Sequence, residues 1–190
     1  MRTVHPIETE SYRRLRAAVD TTGLPRYTRD VVERIIHTTA DPGWLDDLVT
    51  DEAALAAGAA ALAAGAPLVV DVTMVAAGIS GYPTVCRLAD ARAADGLTRT
   101  AAGIRLAATE VGDGAVWVVG NAPTALDEVL RVARRPALVV GVPVGYVGAV
   151  EAKAALRATG LPQLSNRSAR GGSAVAAAAV NALRYGDPLA

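Results

Sequence analysis

Apolar residues fall along this chain in two rhythms. Three short segments are apolar almost throughout: Leu68–Val72, where Asp71 is the one polar position, Ala115–Val119 and Ala137–Val140. Runs of this kind suit strands buried on both faces. The longer segments around them repeat their apolar positions at helical spacing. They predict helices over Pro6–Val19, from a Thr28 cap to His37, from a Thr50 cap to Ala64, over Thr98–Thr109 and Thr124–Ala133, over Tyr146–Ala158, and from Ser173 to Leu183. A further short strand is read at Thr84–Leu88, and the segment after Val72 reads as a loop carrying Met74, Gly78 and Gly81.

Apolar strands alternating with helices predict one domain, residues 1–190, of three-layer α/β/α class with a mostly parallel, Rossmann-like sheet. In such sheets a ligand sits at the carboxyl ends of the strands. Three segments rich in small residues mark that edge: Asp71–Ile79, Gly120–Thr124 and Gly141–Gly148.

Composition narrows the picture. The hydrophobic fraction is 52% with no phenylalanine, so the core is built from alanine, valine and leucine in closely approaching elements. Nineteen basic residues balance 19 acidic ones, which argues against a nucleic-acid partner but leaves room for a local arginine-lined pocket. Cys86 is alone, so no intramolecular disulfide or cysteine-rich metal site can form. With His5 and His37 the only histidines, a protein-held metal is not expected. The uncharged run Ala53–Val70 raises a membrane question, but it is mostly Ala and Gly and is broken by Pro67. Arg2, His5 and Glu8 interrupt any signal-peptide pattern. A soluble cytoplasmic protein without a membrane partner is expected.

Candidate chemistry centres on His37, the one histidine inside a predicted element. Arg34 shares its helix face, and Asp41-Pro42-Gly43 ends the helix just beyond. The helix dipole favours the imidazolium there, whereas Arg34 opposes it. A capping histidine and a proton-transferring one both fit these local facts. Arg167, Arg170 and Gly171-Gly172-Ser173 suit an anion site at a helix start, or an ordinary glycine turn with a serine cap. Arg13, Arg14 and Arg16 read as a solvated basic face around Ser11, and Asp51 and Glu52 as dipole partners. Gly141, Gly145 and Gly148 miss the dinucleotide spacing, and neither a P-loop nor a G-x-S-x-G elbow occurs.

Several segments together, in order, resemble the precorrin-8X methylmutase family and its cobalt-precorrin-8 counterpart. They are Ile7–Tyr12 with Ser11; Arg34-Ile35-Ile36-His37 with Thr38-Thr39-Ala40-Asp41; Asp71 with Met74-Val75 and Gly78; and Thr98-Arg99 before an Ala-rich helix. Further along come Gly120-Asn121-Ala122-Pro123-Thr124-Ala125-Leu126, Gly141–Ala149 with Glu151 and Lys153, and Gly171-Gly172-Ser173 with Asn181.

The resemblance implies an isomerase that moves a methyl group from C-11 to C-12 of a tetrapyrrole macrocycle, giving hydrogenobyrinate or its cobalt form. It implies His37 as proton donor and no added cofactor. Substrate contacts are implied at Ser11, Arg34, Thr38, Asp71, Arg99, Asn121, Gly171, Gly172 and Ser173. It further implies a homodimer whose partners are the tetrapyrrole substrate and product. Arginines at the cleft (Arg34 and Arg99, with Arg13 and Arg170 as further candidates) would meet the substrate's carboxylates. Three segments depart from the family pattern. Ser80-Gly81-Tyr82-Pro83 is short and lacks an arginine or asparagine, Ala152 stands where Ser is usual, and Arg167-Ser168-Ala169-Arg170 replaces a Gly-Arg-Lys-type run. These bear on substrate grip more than on reaction type, and they leave a corrinoid-binding carrier without turnover as the other reading.

Overall fold

The structure is a computed structural model that describes residues 4–94 and 96–189. The elements run α1 (Pro6–Ala18), α2 (Arg26–Thr39), α3 (Trp44–Asp47), β1 (Leu48–Thr50), α4 (Glu52–Ala63), β2 (Leu68–Val70), α5 (Thr73–Gly78) and α6 (Arg99–Ala108). They continue through β3 (Val116–Val119), α7 (Pro123–Val132), β4 (Leu138–Gly141), α8 (Ala149–Ala158), β5 (Gln163–Asn166) and α9 (Ser173–Tyr185). No helix among the described residues is long and apolar enough to cross a membrane.

The sheet has the order β1-β5-β4-β3-β2, with β2 to β5 parallel and β1 antiparallel to β5. Because β2 to β5 are laid down in sequence, their three crossovers wind the same way and place α6, α7 and α8 on one face. Side chains alternate between the two faces, as strand geometry requires. Val69, Trp117, Val119 and Val139 pack under α6, α7 and α8. Leu68, Val70, Val116, Val118, Leu138, Val140 and Leu164 pack against the layer that contains α2, α4 and α9. Each fully buried Val or Leu among these contributes about 1.5–3 kcal/mol.

The three apolar runs are strands, and the three-layer, mostly parallel architecture is as expected. Local boundaries differ for identifiable reasons. The Thr84–Leu88 strand does not form; Val85 alone bridges to Val69. The segment after β2 is not all loop, since it winds into α5. Helix α8 starts at Ala149, after Gly148 at a left-handed φ of 80°. Asp51 caps α4 by accepting the Ala54 N–H at 2.8 Å, whereas Thr50 belongs to β1. Thr28 does not cap α2, which begins after Pro25. Instead Glu52 reaches across from α4 and accepts the N–H groups of Tyr27 and Thr28, each at 2.9 Å. One carboxylate thereby ties the starts of two helices together.

Lys153, the only lysine, fixes the turn after β5. Its buried Nζ donates to Asn166 Oδ1 at 2.9 Å and to the carbonyls of Ser168 at 2.5 Å and Arg170 at 2.8 Å. Burial pushes its pKa down to about 8.

Candidate active site

Helix α1 presents Glu8, Ser11 and Tyr12 on one face, since residues three and four apart stack along a helix. Helix α2 answers with Arg34 and His37. Ser11 Oγ lies 2.8 Å from His37 Nδ1. The Tyr12 ring stacks on the imidazole with centroids 5.0 Å apart and planes 26° apart. The Arg34 guanidinium carbon lies 5.2 Å from the Tyr12 ring centroid, and its Nη1 donates to Glu8 Oε1 at 2.8 Å. Arg34 is only 9% exposed, and its Nε and Nη2 are buried with no hydrogen-bond partner among the described residues.

Burial lowers the His37 pKa below 6.5, and Arg34 lowers it further, while Glu8 pushes it back up. Burial, with Arg34 adding to it, thus makes the imidazolium more acidic than a free one. Burial raises the Tyr12 hydroxyl, which stays protonated. With Nδ1 engaged by Ser11, Nε2 is the ring nitrogen not used in that contact.

A second cluster forms at the carboxyl ends of β2, β3 and β4. Asp71 is 2% exposed and accepts the N–H groups of Gly120 at 3.2 Å, Asn121 at 2.8 Å and Ala122 at 3.1 Å. Burial raises its pKa against the pull of those bonds. Both of its oxygens are thus committed to the turn that carries Asn121. Gly171 has a φ of +156°, and a Cβ there would lie 2.2 Å from the Val142 carbonyl oxygen. Gly172 N–H donates to that same oxygen at 3.0 Å, and Ser173 opens α9. Thr98 and Thr124 hydroxyls meet at 2.7 Å, which brings exposed Arg99 to the same edge. Thr38 is exposed at the end of α2, with its hydroxyl donating to the Arg34 carbonyl at 2.8 Å.

Arg170 is placed differently from the expected cleft arginine. It pairs with Asp41 and Asp47, donates to Gly43 O and lies over Trp44. Arg167 likewise donates to the carbonyls of Asp46 and Leu48. These two guanidiniums fasten the turn before α9 to α3 rather than lining an anion site. Arg16 is not simply solvated either: it bonds to buried Glu33 at 2.7 Å and to Asp187 at 2.8 Å. Arg13 remains exposed.

Glu8 and Tyr12 were legible only as neighbours of Ser11 at helical spacing. Their contacts to Arg34 and His37 come from the packing of α1 on α2. A cavity of about 530 Å³ opens beside Ser11, lined by Pro6, Ile7, Glu10 and Arg14. A smaller one of about 190 Å³ is lined by Arg34, Ser80, Asn181 and Tyr185. Met74, Tyr146 and Val147, which follow β2 and β4, leave their side chains exposed.

Known proteins share this architecture. A match to the family described as precorrin-8X methylmutase spans residues 6–185. The precorrin-8X methylmutase of Pseudomonas aeruginosa is 40% identical over 92% of this chain and 91% of its own. The cobalt-precorrin-8 methylmutase of Methanocaldococcus jannaschii is 39% identical over 80% of this chain and 77% of its own. A crystal structure of the precorrin-8X methylmutase from Thermus thermophilus superposes with a TM-score of 0.83, at 36% identity and 93% coverage of both chains. The chain therefore belongs to the precorrin-8X methylmutase family, the isomerases of cobalamin biosynthesis that take precorrin-8X or cobalt-precorrin-8.

Proposed function

We propose that this enzyme shifts a methyl group from C-11 to C-12 of the macrocycle, with His37 as proton donor. The observation that carries this reading is the Ser11–His37–Tyr12 contact set, a half-buried imidazole held by a hydroxyl and a stacked ring. A methyl shift around a conjugated ring is an isomerisation: one C–C bond breaks as another forms, and no electrons enter or leave. Protonating a ring nitrogen beside the migrating centre withdraws electron density and lowers the barrier. Such proton donation contributes typically ~10²–10⁴-fold. A lowered pKa makes the imidazolium the stronger acid, and Ser11 accepts from its Nδ1–H while Nε2–H faces the substrate.

The remaining contacts belong to the same reading. Arg34 supplies an unpartnered guanidinium edge for a carboxylate, and Arg99 a second cation at the strand-end rim. Thr38, Asn121, Gly171, Gly172 and Ser173 surround the ring edge, while Asp71 acts through the turn it holds. The exposed Met74, Tyr146 and Val147 side chains are the surface we assign to a homodimer contact.

His37→Ala is expected to abolish conversion while leaving product binding within about tenfold, ~1.4 kcal/mol. The measurement is the absorbance change on forming the corrin chromophore, with metal-free and cobalt-bearing substrates. Undiminished turnover in that variant would remove His37 from the role.

A further inference from the structure

Helix α2 ends on a residue unsuited to its backbone. Ala40 closes the helix at φ 53° and ψ 28°, a left-handed conformation that glycine takes readily and alanine does not. Such a residue stays there only where its surroundings over-determine it. His37 and Thr38 lie in the turn just before Ala40, so what holds Ala40 also fixes the end of the helix that carries them.

The holding group is the Arg170 guanidinium, and each of its three nitrogens is used. Nη1 pairs with Asp41 Oδ2, whose other oxygen accepts the Gly43 N–H at 2.9 Å. Nη2 donates to the Gly43 carbonyl at 2.9 Å and to Asp47 Oδ2 at 3.2 Å, and Nε donates to Ser168 Oγ at 3.3 Å. The guanidinium carbon lies 4.8 Å from the ring centroid of buried Trp44. A Cβ at Gly43 would come within 3.3 Å of Nη1, so this glycine is what admits the guanidinium.

The backbone end of Arg170 is held as firmly. Its carbonyl accepts from Lys153 Nζ at 2.8 Å and from Asn166 Nδ2 at 3.0 Å. The next two residues, Gly171 and Gly172, press against the Val142 carbonyl beyond β4. One end of Arg170 thus belongs to the turn that opens α9, and the other to the end of α2. The residue lies in Arg167-Ser168-Ala169-Arg170, the run in which this chain departs from the family pattern.

We infer that Arg170 is a positioning residue, which sets the end of α2, and His37 with it, against the Gly171-Gly172-Ser173 turn. It acts through Asp41 and Ala40. Its consequence for turnover rests on the reading of His37 given above, whereas the placement of the imidazole can be read without turnover.

The first test follows the ring ¹⁵N resonances of His37, with His5 at the start of α1 as internal reference. Arg170→Ala and Asp41→Asn are each expected to shift them, and the double variant no further than the larger single shift, because both break one bond. Arg167→Ala removes the neighbouring arginine, whose bonds are to the Asp46 and Leu48 carbonyls, and is expected to leave them in place. Asp41→Asn, isosteric and partly exposed, decides alone if Arg170→Ala does not fold. Unmoved resonances, or an equal shift in Arg167→Ala, overturn the inference whatever the enzyme assay gives. The second test is kinetic: Asp41→Asn is expected to lower kcat by about tenfold to a hundredfold, with KM changed by less than about threefold. A kcat within about twofold of wild type overturns the role in the reaction. Wild-type protein that converts neither substrate would instead sink the proposed reaction, and the resonances would still decide the placement.

Discussion

His37 works under opposing influences from its immediate neighbours, and they set the direction of its pH response. Burial and Arg34 favour the neutral imidazole, and Glu8 favours the charged one. A proton donor is active in its charged form, so turnover is expected to fall as pH rises through a value below 6.5, and a kcat–pH profile checks it. An activity that instead rises through that range would assign His37 to base chemistry. Glu8→Gln removes a carboxylate that lifts this pKa, so the limb is expected to move to lower pH, with no such movement in Glu10→Gln, whose carboxylate pairs with Arg14 on the exposed side. Ser11→Ala, which removes the partner of Nδ1, is expected to lower kcat by about tenfold to a hundredfold through loss of ring orientation. Only the family resemblance picked out Ser11; spacing by itself put Arg34 and His37 on one helix face. It could not identify Glu8 or Tyr12 as their partners, because that pairing depends on how two helices pack.

Among the secondary elements, Lys153 and the turn it holds make the clearest case for interdependence. Lys153→Met leaves Asn166 Oδ1 without its donor and the Ser168 and Arg170 carbonyls with Asn166 Nδ2 in place of the ammonium, and a loss of about 3 kcal/mol is expected from the denaturant midpoint. The same turn delivers Gly171, where no side chain fits against the Val142 carbonyl, so Gly171→Ala is expected to perturb the start of α9 and with it the strand-end cluster. Strands β2, β3 and β4 were readable because burial on both faces makes them apolar throughout. Strand β5, Gln163-Leu164-Ser165-Asn166, was not: Ser165 and Asn166 are consumed by side-chain bonds to α8 and α3, which no local pattern records. Strand β1 is three residues long and polar-edged, and it forms only because β5 lies beside it. The caps of α2 and α4 were misread for a related reason. Thr28 and Thr50 are good local caps, yet Glu52 holds the N–H groups of Tyr27 and Thr28 and Asp51 that of Ala54, each with a full charge.

At the scale of the molecule, the sheet's one-way winding gives the two faces different histories. One face is covered by crossover helices that follow one another in the chain, while α2 and α9 come from opposite ends to cover the other. The site lies on that second face, where the Arg170–Asp41 pair joins the end of α2 to the approach of α9. Dimer formation through the exposed rim is expected to weaken in a Tyr146→Asp, Val147→Asp double variant, read by sedimentation velocity. Wild-type protein that sediments as a monomer at micromolar concentration would sink the dimer assignment.

The α2–α9 pairing also has a consequence for biogenesis. The apolar stripe of α2, Val31, Val32, Ile35 and Ile36, gains its main helical neighbour only when residues 173–185 have left the ribosome. At elongation rates of about 5–20 residues per second, that delay is on the order of 10 s. For that interval the nascent chain carries a sticky helix and an unassembled site, which makes it a natural client for co-translational chaperones. Chains truncated before α9 are expected to go to degradation or aggregate rather than to retain partial activity.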